Sequence, residues 1–152
     1  VVVRGGQRAP AERTAAKVLI EEIEKRTGIK LPETEQWPAD KTVIALTSQP
    51  QVPSWKTTIP AREGDDLSET RAEGYRLHVQ HREQQPPIVW IQGADPRGVL
   101  FGVGALLRNL QWSQGAAVLP ADLDIATAPV SSPCAAPTRP RTFRARTSGP
   151  TR

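Results

Sequence analysis

Gly74-Tyr-Arg-Leu-His-Val-Gln80, then Ile88-Val-Trp-Ile91, the turn Gly93-Ala-Asp-Pro96, and Arg97-Gly-Val-Leu-Phe-Gly-Val-Gly-Ala-Leu-Leu-Arg-Asn-Leu110 read together as strand, strand and capped helix. Tyr75, Leu77 and Val79 alternate with Arg76, His78 and Gln80. That period of two predicts a strand with one face buried and the other wet. Ile88 to Ile91 is apolar without a break, which predicts a strand that is central in its sheet or covered on both sides. Asp95 can accept hydrogen bonds from the free amides of a first helical turn, while Pro96 occupies the position whose missing N–H costs nothing. A helix is therefore predicted from Pro96 to Gln111. Val99, Val103, Leu106 and Leu110 form its apolar stripe, with Leu100 and Leu107 beside it. Gly98, Gly102 and Gly104 each cost roughly 1 kcal/mol relative to alanine. Three of them in one helix predict a backbone lying very close to a neighbour.

Towards the N-terminus, Val1 to Val3 is a β-branched run stopped by Gly5-Gly6, the pattern of a short strand entering a turn. Pro10 opens a second helix, closed by Thr27-Gly28 with glycine as the left-handed terminator. Ala16, Leu19, Ile20 and Ile23 form its stripe, and Glu12, Arg13, Lys17, Glu21, Glu22, Lys25 and Arg26 are expected to cover the solvent side. Glu21 with Lys25 and Glu22 with Arg26 have the favoured i, i+4 order. Residues 31–38 read as a connector and Thr42 to Leu46 as an internal strand.

Periodicity disappears from Gln49 to Glu73, a long loop for a compact domain. Either it packs over the sheet through Val52, Trp55 and Ile59, or it serves contact with another domain. Beyond the central unit, Gly115 to Leu119 and Asp122 to Ile125 read as two extended segments that close one edge of the sheet.

The chain has 152 residues, fifteen prolines and a net charge of +4. Arg139, Arg141, Arg144, Arg146 and Arg152 lie in a segment without acids; the remainder carries 15 basic against 16 acidic residues, a net of −1. The high pI thus belongs to residues 129–152, whose Pro, Ser, Thr, Ala and Arg composition predicts disorder. Nucleic-acid binding through that tail is disfavoured, because its arginines are not arrayed on a folded face with stacking aromatics. Cys134 stands alone, so it predicts neither an internal disulfide nor a cysteine metal site. No apolar run reaches the length of a membrane span and no signal peptide is visible. The chain starts at Val1 and contains no methionine, which reads as a fragment or a processed product.

Chemistry-bearing patterns are few. Gly93 to Gly98 has phosphate-loop spacing but lacks the following Lys-Ser/Thr, and the dinucleotide fingerprint fails on glycine spacing. His78 and His81 are expected on different faces and do not converge on a metal; both read as exposed. Asp65-Asp66 and Asp122-x-Asp124 are carboxylate pairs, yet neither has the rigid, partly desolvated setting that glycoside hydrolysis needs. Trp90 and Trp112 read as core or domain-interface residues. Trp37 and Trp55, in loops, could present flat indole faces to sugar rings, but packing is the favoured role.

The segments EGYRLHV and IVWIQGADPRGVLFGVGALLRNL resemble the small non-catalytic domain that precedes the barrel in family 20 glycoside hydrolases, the β-N-acetylhexosaminidases. The N-terminal domains of α-glucuronidases look similar. The resemblance extends over residues 1–128 and implies an α+β two-layer sandwich, a mixed sheet of four to five strands with two helices on one face and the other face left for a partner. It implies a non-catalytic accessory domain that packs against a catalytic barrel absent from this chain, with no catalytic residue, cofactor or metal of its own, no nucleic-acid or membrane partner, and an extracellular or periplasmic setting. The alternative is a stand-alone glycan- or protein-binding module. No barrel-like strand follows residue 128, so residues 129–152 are expected to be a non-native, frameshifted reading.

Overall fold

The computed structural model describes residues 1–5, 9–49, 51–55, 57–60 and 72–127. The expected tail, 129–152, and Asp65-Asp66 lie outside the described residues.

Among the described residues, eight strands and two α-helices follow in the order β1 (Val2–Arg4), α1 (Pro10–Thr27), β2 (Glu33–Thr34), β3 (Val43–Thr47), β4 (Tyr75–Arg82), β5 (Gln85–Gly93), α2 (Pro96–Asn109), β6 (Gln111–Ser113), β7 (Ala116–Val118) and β8 (Asp124–Ala126). Six strands form the main sheet in the order β2-β1-β3-β5-β4-β8. The β2, β3 and β5 strands join β1 in a parallel set, and β4 runs antiparallel to both β5 and β8. The fold is α+β with a mixed sheet as expected, but the sheet has six strands rather than four to five. The extra member is β2: two residues carry no readable period, and Arg4 on β1 pairs with Glu33 to hold them at the edge.

Both helices lie on one face of the sheet. Val99, Val103 and Leu106 of α2 and Leu19 and Ile23 of α1 join Val2, Leu46, Leu77, Val89 and Ile91 in one core. Each such aliphatic side chain, when fully buried, contributes roughly 1.5–3 kcal/mol. The α2 glycines split into two kinds. A side chain at Gly98 would overlap the Gly74 carbonyl, and one at Gly102 would lie 2.5 Å from Cγ2 of Ile91. Those two are the close approaches that the sequence predicts. Gly104 faces no other element, only the flexible end of Arg108.

Helix α1 ends as read, with Gly28 at φ +77° and its amide donating to the Glu24 carbonyl. Its surface differs in two places. Glu21 lies 3.7 Å from Lys17 rather than pairing with Lys25, while Arg26 and Glu22 meet at 3.0 Å as expected. Glu12 is buried: its Oε1 accepts from the amide and hydroxyl of Ser48 just past β3. The two extended segments near the C-terminus also part company. Ile125 and its neighbours add β8 to the sheet edge beside β4, whereas Ala116–Val118 pairs with Gln111–Ser113 in a separate hairpin. That hairpin is fastened to α1 by the Gly115 amide on the Thr27 carbonyl and by Arg26 stacked over Trp112 at 4.9 Å.

Candidate functional site

The face of the sheet away from the helices gathers most of the residues singled out in the sequence. Strand register sets Val3, Ala45, Trp90, His78 and Asp124 directly opposite one another on β1, β3, β5, β4 and β8. One row of side chains therefore crosses five strands on the same side. The next row, two residues further along, sets Thr47, Gln92 and Arg76 in line.

This face is not open. Val52 and Ile59 from the aperiodic loop, with Trp55 in a short 3-10 turn at Pro53–Trp55, pack on Val3, Val43, Ala45, Ile88 and Trp90. Of the two roles open to residues 49–73, packing over the sheet is the one its described part performs. Trp37 stacks on Trp90 with 5.5 Å between ring centroids, and Trp55 leans on both at 5.4 and 6.0 Å. Trp55 is 2% exposed and Trp37 half-buried, so neither loop tryptophan stands out as a free platform. Trp90 is core, as expected, and its indole N–H donates to the Gln80 side-chain oxygen at 2.7 Å.

Arg76 and His78 are the main correction. Alternation assigns them to a wet face, yet each is only 7% exposed. His78 stacks on Trp90, 6.4 Å between centroids and 14° from parallel. Neither of its ring nitrogens, nor the Trp55 indole N–H, has a hydrogen-bond partner among the described residues. Burial, reinforced by the Arg76 guanidinium and only partly opposed by Asp124, lowers the His78 imidazole to about 4. It is therefore neutral at neutral pH. Arg76 reaches Asp124 at 3.4 Å and the Pro60 carbonyl at 3.4 Å. The opposite end of β4 carries His81, exposed, its Nε2 2.8 Å from the Ala121 carbonyl oxygen.

The carboxylates do not assemble as an acid/base pair among the described residues. Asp124 is tied to Arg76, and Asp122 sits exposed in the turn before β8. Asp95 is a helix cap: its two oxygens accept from the amides of Gly98 at 2.7 Å and Glu73 at 3.0 Å. Partial burial raises its carboxyl, but the amides of Gly98, Glu73 and Arg97 with the Arg97 charge outweigh this and hold it below the usual value. The Gly93–Gly98 segment is thus a tight turn whose amides are already engaged, not a phosphate cradle. Among the described residues, no group of three His, Cys, Asp or Glu could hold a metal, and no helix is long and apolar enough to cross a membrane. Sequence reasoning missed the buried row through His78, because the residues that cover it come from an aperiodic loop.

A search of curated proteins found no match. Among solved structures, the chain is similar to a family GH115 4-O-methyl-α-glucuronidase with specificity for decorated arabinogalactans, at 13% identity and a TM-score of 0.59 over 84% of this chain. A GH138 enzyme targeting pectin rhamnogalacturonan II aligns at 14% identity and a TM-score of 0.47, again over 84% of this chain. The chain spans 17% of the first enzyme and 11% of the second. The first of these likenesses supports the fold. The family is shown by sequence: the model described as glycosyl hydrolase family 20, domain 2, matches residues 2–127. The chain belongs to that family.

Proposed function

We propose that this chain serves as the non-catalytic domain of a glycoside hydrolase resembling a β-N-acetylhexosaminidase, and that in the intact enzyme it packs against a catalytic barrel. The family match over residues 2–127 is the observation that carries this reading. Two features of the structure support it. Among the described residues, Asp95 is engaged as a helix cap and Asp124 in an ion pair with Arg76, and the buried sheet face beside Asp124 is filled with tryptophan. Residues 1–128 would form the domain, and residues 129–152 a shifted-frame reading of the barrel's start. Translating the coding DNA in the other two frames tests the last point, and finding no barrel-like strand in either rejects it.

The chain alone should not hydrolyse an aryl N-acetyl-β-glucosaminide. Turnover above the blank would overturn the reading. A free-standing glycan-binding module has less support, because Trp55 is buried and Trp37 is stacked on Trp90.

A further inference from the structure

The two faces of the sheet carry two separate cores. Val2, Leu46, Leu77 and Ile91 pack beneath the helices, whereas Val3, Val43, Ala45, Ile88 and Trp90 pack beneath a cover formed by Val52, Trp55 and Ile59. The two sets share no member, so the cover can leave the sheet while the helices stay on it. Attachment of the cover is slight. Its 3-10 turn, Pro53–Trp55, adds no strand to the sheet, and the Trp55 amide donates within the turn, to the Val52 carbonyl at 3.0 Å. Among the described residues from 52 to 60, the one hydrogen bond to a strand is that of Arg76 Nη1 on the Pro60 carbonyl, at 3.4 Å. Apolar contact does the rest of the holding.

His78 lies under this cover, next to Trp90, on which Trp55 leans, and to Arg76, which holds Pro60. An imidazolium there would carry two N–H donors where neither ring nitrogen has a partner among the described residues. The charges that face the ring are Arg76, two residues away on β4, and Asp124, directly opposite on β8. Trp90 and the described cover residues bring no titratable group. Asp124 favours the charged ring, but it is already shared with Arg76, and burial together with the Arg76 charge outweighs it. Protonation therefore favours any state in which water reaches the ring. Lifting the cover is the smallest change that does so, because it leaves the strand pairs and the helical core intact.

We infer that acid releases the cover from the sheet as a local event, baring the row through Trp90 and His78 while the helical core stays folded. The fold thus contains a proton-driven switch on the face opposite its helices. The inference is independent of the accessory-domain reading and goes beyond it.

Hydrogen exchange of the 152-residue chain, followed at single amides, tests this. After correction for intrinsic rates, the Trp55 amide should be less protected than those of Val103 and Leu106 in α2 at every pH. Its protection should fall roughly ten- to thirty-fold between about pH 7.5 and about pH 5, as follows for a ring that titrates at 6.5 when exposed and at about 4 when covered. In His78→Phe, which keeps a stacked ring, most of that fall should vanish. Equal protection of Trp55 and the α2 amides at every pH would mean that only global unfolding responds, and would overturn the inference. An undiminished fall in His78→Phe would do the same. Should that variant not fold, the parent chain decides: the His78 ring, titrated by NMR, and acrylamide quenching of tryptophan fluorescence should share one midpoint. Quenching that stays flat while the ring titrates, or that rises at another pH, rejects the switch.

Discussion

His78 stands directly opposite Trp90 across β4 and β5, its ring 14° from parallel with the indole and both its nitrogens without a partner among the described residues. A histidine held this way is stable only while neutral. Its imidazole titrates at 6.5 when unfolded and at about 4 when folded, so between those values the unfolded chain binds more protons. Stability is complete above 6.5 and falls as pH drops towards 4. Discounted for solvent reaching the ring, the loss should be on the order of 1–2 kcal/mol. His78→Phe keeps the stacking and removes the titration, so melting temperature measured from pH 4 to 7 should become flatter. A variant with the parent's slope would remove His78 from the account.

The three α2 glycines should respond to alanine in two directions. Gly98→Ala meets backbone, the Gly74 carbonyl, which cannot swing aside. It should cost about 1–3 kcal/mol or more, the usual range for overpacking. Gly102→Ala meets the Cγ2 branch methyl of Ile91, a side-chain atom rather than backbone, and should cost less than Gly98→Ala within that range, since Ile91 can yield only by rotating or shifting as a whole. Gly104→Ala, in the isolated chain, should gain up to about 1 kcal/mol. Urea unfolding of the three variants measures this, and equal losses at all three positions would contradict the contacts.

Asp95 joins two elements at once, the first turn of α2 through Gly98 and the entry to β4 through Glu73. Asp95→Ala should cost about 1–2 kcal/mol, and Asp95→Asn much less, since asparagine also caps. The folded carboxyl lies below its ordinary 3.8, so its contribution is full above that value and is lost as pH falls through the folded one. The difference between Asp95 and Asp95→Ala in denaturant should therefore shrink below about pH 4.

Helix α2 and the cap at Asp95 were legible because their causes are local: a carboxylate three residues before the amide it accepts, and a stripe at helical spacing. The central position of β5 was legible for the same reason, since an unbroken apolar run needs cover on both faces. What covers a face is not local. Alternation in β4 correctly separates Leu77 from His78, but whether the His78 side meets water depends on Trp37 and on Val52 to Ile59, which reach it from segments without any period. Glu12 was misread in the same way, as its partner Ser48 lies 36 residues on. The candidate site suffered most, because it consists almost entirely of such distant cover.

The Glu12 and Ser48 pair offers the sharpest measurement of a long-range polar contact in this fold. Glu12 is 7% exposed, and its Oε1 accepts from the Ser48 amide at 3.1 Å and from the hydroxyl at 2.6 Å. Ser48→Ala leaves the amide bond but removes the shorter one, and should cost about 1–3 kcal/mol because one oxygen of a buried carboxylate loses a donor. Glu12→Ala removes both bonds and leaves the serine to find other partners. The double variant should then lose less than the sum of the two, with a coupling of about 0.5–3 kcal/mol in a cycle of urea melts. Additivity within about 0.3 kcal/mol would mean that the contact does not hold the first turn of α1 to the end of β3, and that apolar packing of Ala15, Ala16 and Leu19 suffices.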